Sequence, residues 1–239
     1  MTLLQDLESI QARRQYPNWQ PIRPNATSTP RGDKWDEVLK RCVEFLPLEL
    51  QVAQWDEEAS EVIEEAAPIL ARNANDEAKH DEVLKYLAEY MGVYGSSYRA
   101  TSIINGWKAS EANPLVLTYA LECGVFFSIL PTLGIYGDVY ASLVKQWIAD
   151  DERVHVETGL RLMKELKLKV TDGGHEVLKL VHDTNVYLFT PLGATEAFKR
   201  AERAIRRCLT GKDKEMLNES LPATVANFEQ VDRGSIAYY

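Results

Sequence analysis

The pentapeptides DEAKH (residues 76–80) and DERVH (residues 151–155) share the pattern Asp-Glu-x-x-His. On an α-helix, residues three apart project from the same face, so each copy presents a carboxylate beside an imidazole. A further glutamate precedes each copy at nearly equal spacing, Glu49 before the first and Glu122 before the second. The repeat predicts two helical hairpins related by a pseudo-twofold axis, which together form a four-helix bundle.

The side chains carried by this repeat have the composition of a two-metal carboxylate site. They are Glu49, Glu77, His80, Glu122, Glu152 and His155. One imidazole per metal among carboxylate oxygens favours iron or manganese over zinc or copper(I). Four carboxylates also balance the charge of two divalent ions. The pattern therefore predicts two iron ions, or one manganese and one iron, bound by these six residues.

Glu122 gives the strongest single support for a metal. It is the only charged residue between Glu111 and Asp138, in a segment whose apolar composition predicts a central helix. A buried carboxylate without a partner costs several kilocalories per mole or takes up a proton. A metal-free structural bundle is the alternative, because a single Glu-x-x-His also occurs by chance.

The first long helix offers two candidates for its ligand. The buried stripe of that helix includes both Glu49 and Asp56, so either could face the site. We prefer Glu49, because its distance from the first pentapeptide matches the distance of Glu122 from the second, and we keep Asp56 as the alternative.

The aspartates that open the two pentapeptides are expected to support the histidines. Metal-bound histidines usually donate their second ring N–H to a carboxylate. In a facing pair of helices, Asp76 would serve His155 and Asp151 would serve His80. The alternative for both aspartates is a solvated helix surface.

The bulk composition limits the class of protein. The chain has 239 residues, 45% of them hydrophobic, enough for one domain with a sizeable core. Its net charge of −9 argues against nucleic acid, because neutralising phosphates needs a basic face. The three cysteines form no Cys-x-x-Cys motif and are typical of a reducing compartment. With no signal-peptide pattern and no expected membrane span, the sequence predicts a cytoplasmic protein.

Turn and cap signals divide the chain into three parts of one domain. Residues 1–35 are an N-terminal helix and a Pro-rich arm, residues 36–168 are the four-helix dimetal bundle, and residues 169–239 are accessory C-terminal helices. The arm is expected to be extended and to pack on the surface or on a neighbouring subunit.

Within the bundle, symmetry places the first interhelical turn near residues 57–61. Gly92 is expected to cap the second helix, and residues 92–112 to connect the two halves. Asn113 and Pro114 are a good start for the third helix. Pro131, Gly134 and Gly137 predict the turn before a fourth helix capped by Asp138.

On these residues, the region 36–168 resembles the ferritin-like di-iron carboxylate superfamily. The leading aspartate of each pentapeptide is similar to the oxygenase and reductase-subunit branches rather than to ferritin proper. The resemblance implies an all-α, ferritin-like four-helix bundle that activates O2 to oxidise or oxygenate a small organic substrate. An external electron donor such as a ferredoxin is then expected, because the chain has no flavin, haem or iron–sulfur motif.

Other branches of the superfamily remain as alternatives. An iron-oxidising storage protein would use the same ligands, although ferritins are shorter chains without the N-terminal arm. The radical-generating small subunit of a ribonucleotide reductase usually has a tyrosine one turn after the first histidine, where this chain has Leu84. A homodimer is one assembly that such a bundle could form.

Overall fold

The computed structural model describes residues 2–209, which form an all-α bundle without a β-strand. The helices are α1 (Leu3–Gln11), α2 (Lys34–Val43), α3 (Glu49–Val62), α4 (Ala67–Met91), α5 (Tyr98–Lys108), α6 (Pro114–Leu121), α7 (Phe127–Tyr136), α8 (Val139–Glu165), α9 (Gly174–Phe189) and α10 (Ala194–Cys208). A π-helical turn, Glu122–Phe126, joins α6 to α7. The fold class predicted from the sequence is confirmed. The part of the predicted accessory region that follows Leu209 lies outside the described residues.

Two hairpins form the centre of the bundle. Helix α3 packs along α4, and the continuous run of α6, the π-helical turn and α7 packs along α8. The hairpins meet through contacts of α3 with α6 and of α4 with α8. Helices α9 and α10 pack on each other and against the π-helical turn, while α1 lies on α8. The pseudo-twofold arrangement expected from the repeated motif therefore lies at the core.

Several helix ends follow the predicted cap chemistry. Gly92 has the left-handed conformation, φ 69°, which favours glycine after the last turn of a helix. Asn113 caps α6 by accepting a hydrogen bond from the N–H of Leu115, and Asp138 caps α8 in the same way. Pro47 lies in a 3₁₀ turn, Leu46–Leu48, and α3 begins directly after it.

The prediction of a turn near residues 57–61 was wrong. Helix α3 continues to Val62, and the chain turns through the 3₁₀ segment Glu64–Ala66. Because α3 starts only after the Pro47 turn, its last turns extend further than symmetry suggested. The glutamates at 57 and 58 lie on its exposed face instead of in a turn.

One further boundary prediction was also wrong. Pro131 and Gly134 make no turn, and α7 continues past them to Tyr136. Burial of Leu130 and Leu133 offsets the hydrogen bond that Pro131 cannot make, since each large apolar side chain contributes about 1.5–3 kcal/mol. Residues 92–112 connect the two halves as predicted, and they contain α5.

The helical run Pro114–Tyr136 is long and apolar enough to cross a membrane by those criteria alone. In the structure, 89% of its most apolar window is buried inside the bundle. This is the position of a core helix in a soluble protein, and it agrees with the expectation that the run does not span a membrane.

Candidate metal centre

The six predicted ligands come together at the centre of the bundle. Glu49 is the first residue of α3, α4 supplies Glu77 and His80, Glu122 begins the π-helical turn, and α8 supplies Glu152 and His155. All six are at most 2% exposed. Four separate helical segments thus place carboxylates and imidazoles in the interior, where a polar group without a partner is costly.

These side chains form two overlapping groups. In the first group, Glu49, Glu77, His80 and Glu152 each offer one atom, and these atoms lie within 4.8 Å of one another. In the second group, Glu77, Glu122 and His155 do the same. Each group could hold one metal ion, and Glu77 is shared by both.

Glu77 has the geometry of a bridging carboxylate. Its Oε2 lies 3.2 Å from Nδ1 of His80, and its Oε1 lies 2.8 Å from Nδ1 of His155. The second pair is close but lacks the alignment of a hydrogen bond, so both atoms remain without a hydrogen-bond partner among the described residues. This close approach of an oxygen lone pair to a nitrogen lone pair is expected when both atoms bind the same metal ion.

The rest of the ligand set is also poor in partners. Within residues 2–209, the buried ligand atoms that accept no hydrogen bond are Oε2 of Glu49, both carboxylate oxygens of Glu122 and both of Glu152. An unsatisfied buried polar atom costs about 1–3 kcal/mol, and more when it is charged. The donor set, rich in oxygen with one imidazole per group, fits iron or manganese.

The two aspartates of the pentapeptides contact the histidines as the facing-helix geometry predicts. Nε2 of His155 lies 3.4 Å from Asp76, and Nε2 of His80 lies 3.3 Å from Asp151. Each imidazole therefore presents Nδ1 to the centre and is oriented from behind by a carboxylate. Burial raises the pKa of Asp76, but the hydrogen bond and the charge of His155 outweigh it and hold that pKa well below its usual range.

The electrostatics inside the groups divide the glutamates into two kinds. Burial raises the pKa of Glu49, Glu122 and Glu152 above the ordinary value. Burial also acts on Glu77, but the charges of His80 and His155 outweigh it and lower its pKa. Glu77 thus remains ionised between the two imidazoles. For the other three glutamates, burial disfavours the ionised form, and a nearby cation would favour it.

The N-terminal arm contributes two residues that the sequence analysis missed. Arg14 is buried, forms an ion pair with Asp76, and places Nη1 3.2 Å from Asp151. Trp19 is buried as well, and its indole N–H donates to Asp151 at 2.7 Å. Both residues thus contact the carboxylates that orient the histidines. The available signal was a tryptophan in an otherwise polar arm, since such a ring usually finds a buried place.

Replacing Arg14 with leucine is expected to lower the free energy of unfolding by about 3–5 kcal/mol, because it leaves two buried carboxylates without their guanidinium. Urea unfolding of the metal-free protein measures the effect. Arg13→Leu is the matched control: its partner is Glu157, its side chain is 53% exposed, and its loss should cost about 1 kcal/mol or less. Equal, small losses for both variants would show that the arm is not docked.

The π-helical turn that carries Glu122 is held by α9 and α10. A π-helical turn breaks the regular α-helical hydrogen-bond pattern, and such turns are frequent at functional sites. Arg207 donates from Nε to the carbonyl of Cys123 at 3.1 Å, and Asn185 donates to the carbonyl of Gly124 at 3.1 Å. The C-terminal helices therefore fix the backbone beside a ligand.

Gly124 allows this close approach. A Cβ on it would lie 2.6 Å from Sγ of Cys208 and 2.8 Å from Val181, so we expect Gly124→Ala to destabilise the protein by about 1–3 kcal/mol. Gly159→Ala is the control, because its Cβ would meet Tyr119 at an ordinary 3.6 Å and alanine favours a helix by about 1 kcal/mol. Thermal unfolding measures the stability of both variants. A Gly124→Ala protein as stable as the parent would contradict the packing argument.

Asp56, the alternative first-helix ligand, is buried but belongs to neither group. Glu49 lies 3.6 Å from Nδ1 of His80 and takes that place in the first group. Asp56 lies two turns further along α3, on the same face, and the charge of His155 lowers its pKa against a larger increase from burial.

The arrangement is compatible with a di-iron carboxylate protein. Neither a protein-family model, nor a curated protein, nor a solved structure matches the chain. The side chains of the site and their geometry are therefore the basis for inferring its function.

Proposed function

We propose that the two buried groups bind two iron ions, or one manganese and one iron, and that the protein uses them to activate O2 for the oxidation or oxygenation of a small organic substrate. The observation that carries this proposal is Glu77, a buried carboxylate whose two oxygens each face the Nδ1 of a different histidine. The neighbouring carboxylate oxygens of Glu122 and Glu152 have no hydrogen-bond partner among the described residues, and a bound metal ion would compensate them.

The residues would divide the work as follows. Glu77 would be shared by both metals. Glu49, His80 and Glu152 would hold one metal, and Glu122 and His155 would hold the other. Bound iron would supply the redox chemistry that O2 needs, which no side chain of this set can supply alone. The chain itself supplies orientation, through Asp76 and Asp151 behind the imidazoles, and exclusion of bulk water by complete burial.

Electrons for O2 must come from elsewhere, since the cysteines offer no redox motif. The three thiols, Cys42, Cys123 and Cys208, are all buried and unlinked. Burial raises the pKa of the Cys42 thiol far above its ordinary value, so it is not a reactive thiolate. An external one-electron donor of the ferredoxin kind is therefore part of the proposal.

The test is metal content by elemental analysis after anaerobic loading with iron(II) and desalting, with Glu122→Ala as the control. About two irons per chain in the parent, and clearly fewer in the variant, is the expected result. Near-zero iron in both would end the proposal, and far more than two irons per chain would favour storage. Oxygen uptake by the loaded, reduced protein, measured with an electrode, then separates an O2-activating centre from an inert metal site.

A further inference from the structure

One end of the metal centre is lined by three polar side chains that the six-ligand site does not use. Asp56 on α3, Thr118 on α6 and Thr158 on α8 are 1%, 5% and 1% exposed. Oδ2 of Asp56 and both threonine hydroxyls have no hydrogen-bond partner among the residues that the structure describes. We call these three residues the polar end cluster.

The three members lie at the same end of the bundle. Tyr119 lies against Gly159, and Oε1 of Glu122 lies 3.7 Å from Nδ1 of His155, so these two segments run antiparallel. Thr118 and Thr158 therefore lie on the same side of the Glu122–His155 pair. Each is about one turn from a ligand of the second group, Thr118 before Glu122 and Thr158 after His155.

Asp56 belongs to the same end by its place on α3. Helices α3 and α4 form an antiparallel hairpin, so the two turns from Glu49 to Asp56 lead away from His80. Helix α3 also packs against α6, which carries Thr118.

The pseudo-twofold relation makes the cluster conspicuous. In the other half of the site, the corresponding positions are those at the same sequence spacing from the matching ligands as Asp56, Thr118 and Thr158. They are occupied by Ile129, Phe45 and Val83, all of them buried and apolar. The two ends of the centre therefore differ in chemistry, although their six metal-binding residues are related by symmetry.

The two ends of the centre also differ in the number of candidate ligands. The first group offers four residues and the second offers three. The second metal position thus has fewer protein donors, and it is the position beside which the unpartnered polar atoms lie. Buried water and other small ligands bind where two to four such polar partners converge.

We propose that the polar end cluster holds a small hydrogen-bonding ligand, water or a small anion, against the second metal position. The proposal rests on the dimetal function above and assigns exogenous ligand binding to the His155 end of the site. Thr118 and Thr158 donate hydrogen bonds to this ligand, and Asp56 accepts one when the ligand carries a proton. The apolar end, beside His80, offers no such partners.

The experiment uses azide as the probe on the full-length protein loaded with cobalt(II), whose visible absorption reports binding. Thr118→Val and Thr158→Val keep the side-chain shape and remove one hydroxyl each. Each should weaken azide binding about tenfold, the value of one hydrogen bond to a charged group. Neither should lower the melting temperature of the metal-free protein, because these hydroxyls have no partner to lose.

Two variants serve as controls. Thr132→Val removes a buried hydroxyl that donates to the carbonyl of Ser128, so it should leave azide binding unchanged. Asp56→Leu should retain both cobalt ions, because Asp56 is not one of the six ligands, and should not weaken azide binding, because azide has no proton for Asp56 to accept.

Failure of the parent to load two metals would sink the dimetal function at the first step, before azide is added. Normal loading with unchanged azide affinity in both threonine variants would overturn the polar end cluster alone. A lower melting temperature of the metal-free threonine variants would also overturn it, by showing that the hydroxyls are structural. Loss of a cobalt ion in Asp56→Leu would make Asp56 a metal ligand and overturn its assigned place.

Discussion

Replacement of Glu122 with leucine is expected to make the metal-free protein more stable, although it removes a fully buried side chain from the centre of the bundle. Glu122 is 0% exposed, and neither carboxylate oxygen has a hydrogen-bond partner in residues 2–209. Burial and the charge of Glu152 both raise its pKa, so the metal-free core contains a poorly solvated acid among other acids. Leucine fits the apolar helix around this position.

The expected gain is about 1–3 kcal/mol in the free energy of unfolding, the cost of a buried polar group that has no hydrogen-bond partner. Urea unfolding without metal measures it. The same variant should lose most of the stabilisation that iron(II) or manganese(II) gives the parent, which would be about 4 kcal/mol at a thousandfold excess over the dissociation constant. The opposite signs distinguish a functional carboxylate from a structural one.

Exposed Glu111 offers a matched control at the start of the same segment. Glu111→Leu should change the stability by no more than about 0.5 kcal/mol, with or without metal. A loss of stability in metal-free Glu122→Leu would mean that the carboxylate is satisfied within the protein. The case for a metal would then lose its main support.

The six clustered side chains could be predicted from sequence because their signal is periodic. Glu-x-x-His needs only the three-residue spacing of a helix face, and the repeat of the motif indicates which helices pair. The pairing of Asp76 with His155 follows from the same logic, because facing helices bring each aspartate to the other helix's histidine.

The rest of the site depends on contacts between segments far apart in the chain. Arg14 and Trp19 contact the centre from outside the regular helices, so no hydrophobic periodicity in the sequence indicates their position. The π-helical turn at Glu122 depends on Arg207 and Asn185 from later helices, which supply hydrogen bonds that the local sequence does not encode. Tertiary contacts of this kind also explain why α7 passes through Pro131.

Metal affinity is expected to increase steeply as pH rises through the neutral range. Burial raises the pKa of Glu49, Glu122 and Glu152. Burial lowers the pKa of His80, but the charge of Glu77 and the hydrogen bond with Asp151 outweigh it and raise that pKa well above its ordinary value. The metal-free centre therefore holds protons that solvent-exposed copies of these groups would have released.

A metal ion must displace those protons, because carboxylate and neutral imidazole are the ligand forms. Each proton released makes the binding constant about tenfold larger per pH unit. Manganese(II) titrations against a competing chelator at several pH values measure the slope, and an indicator dye in weak buffer counts the protons released. A binding constant that stays flat over this range would contradict the protonated centre.

The same shifts fix how stability depends on pH without metal. A glutamate whose pKa is raised on folding stabilises the folded state only while it is protonated, so its contribution is lost as pH rises through the raised value. The lowered pKa values of Asp76 and Asp151 act in the opposite sense, and their contribution is lost only in acid. Between these limits, the metal-free protein should become less stable as pH rises while the metal-loaded protein does not. The melting-temperature difference between the two forms should therefore widen with pH, whereas a constant difference would show that the buried glutamates are ionised throughout.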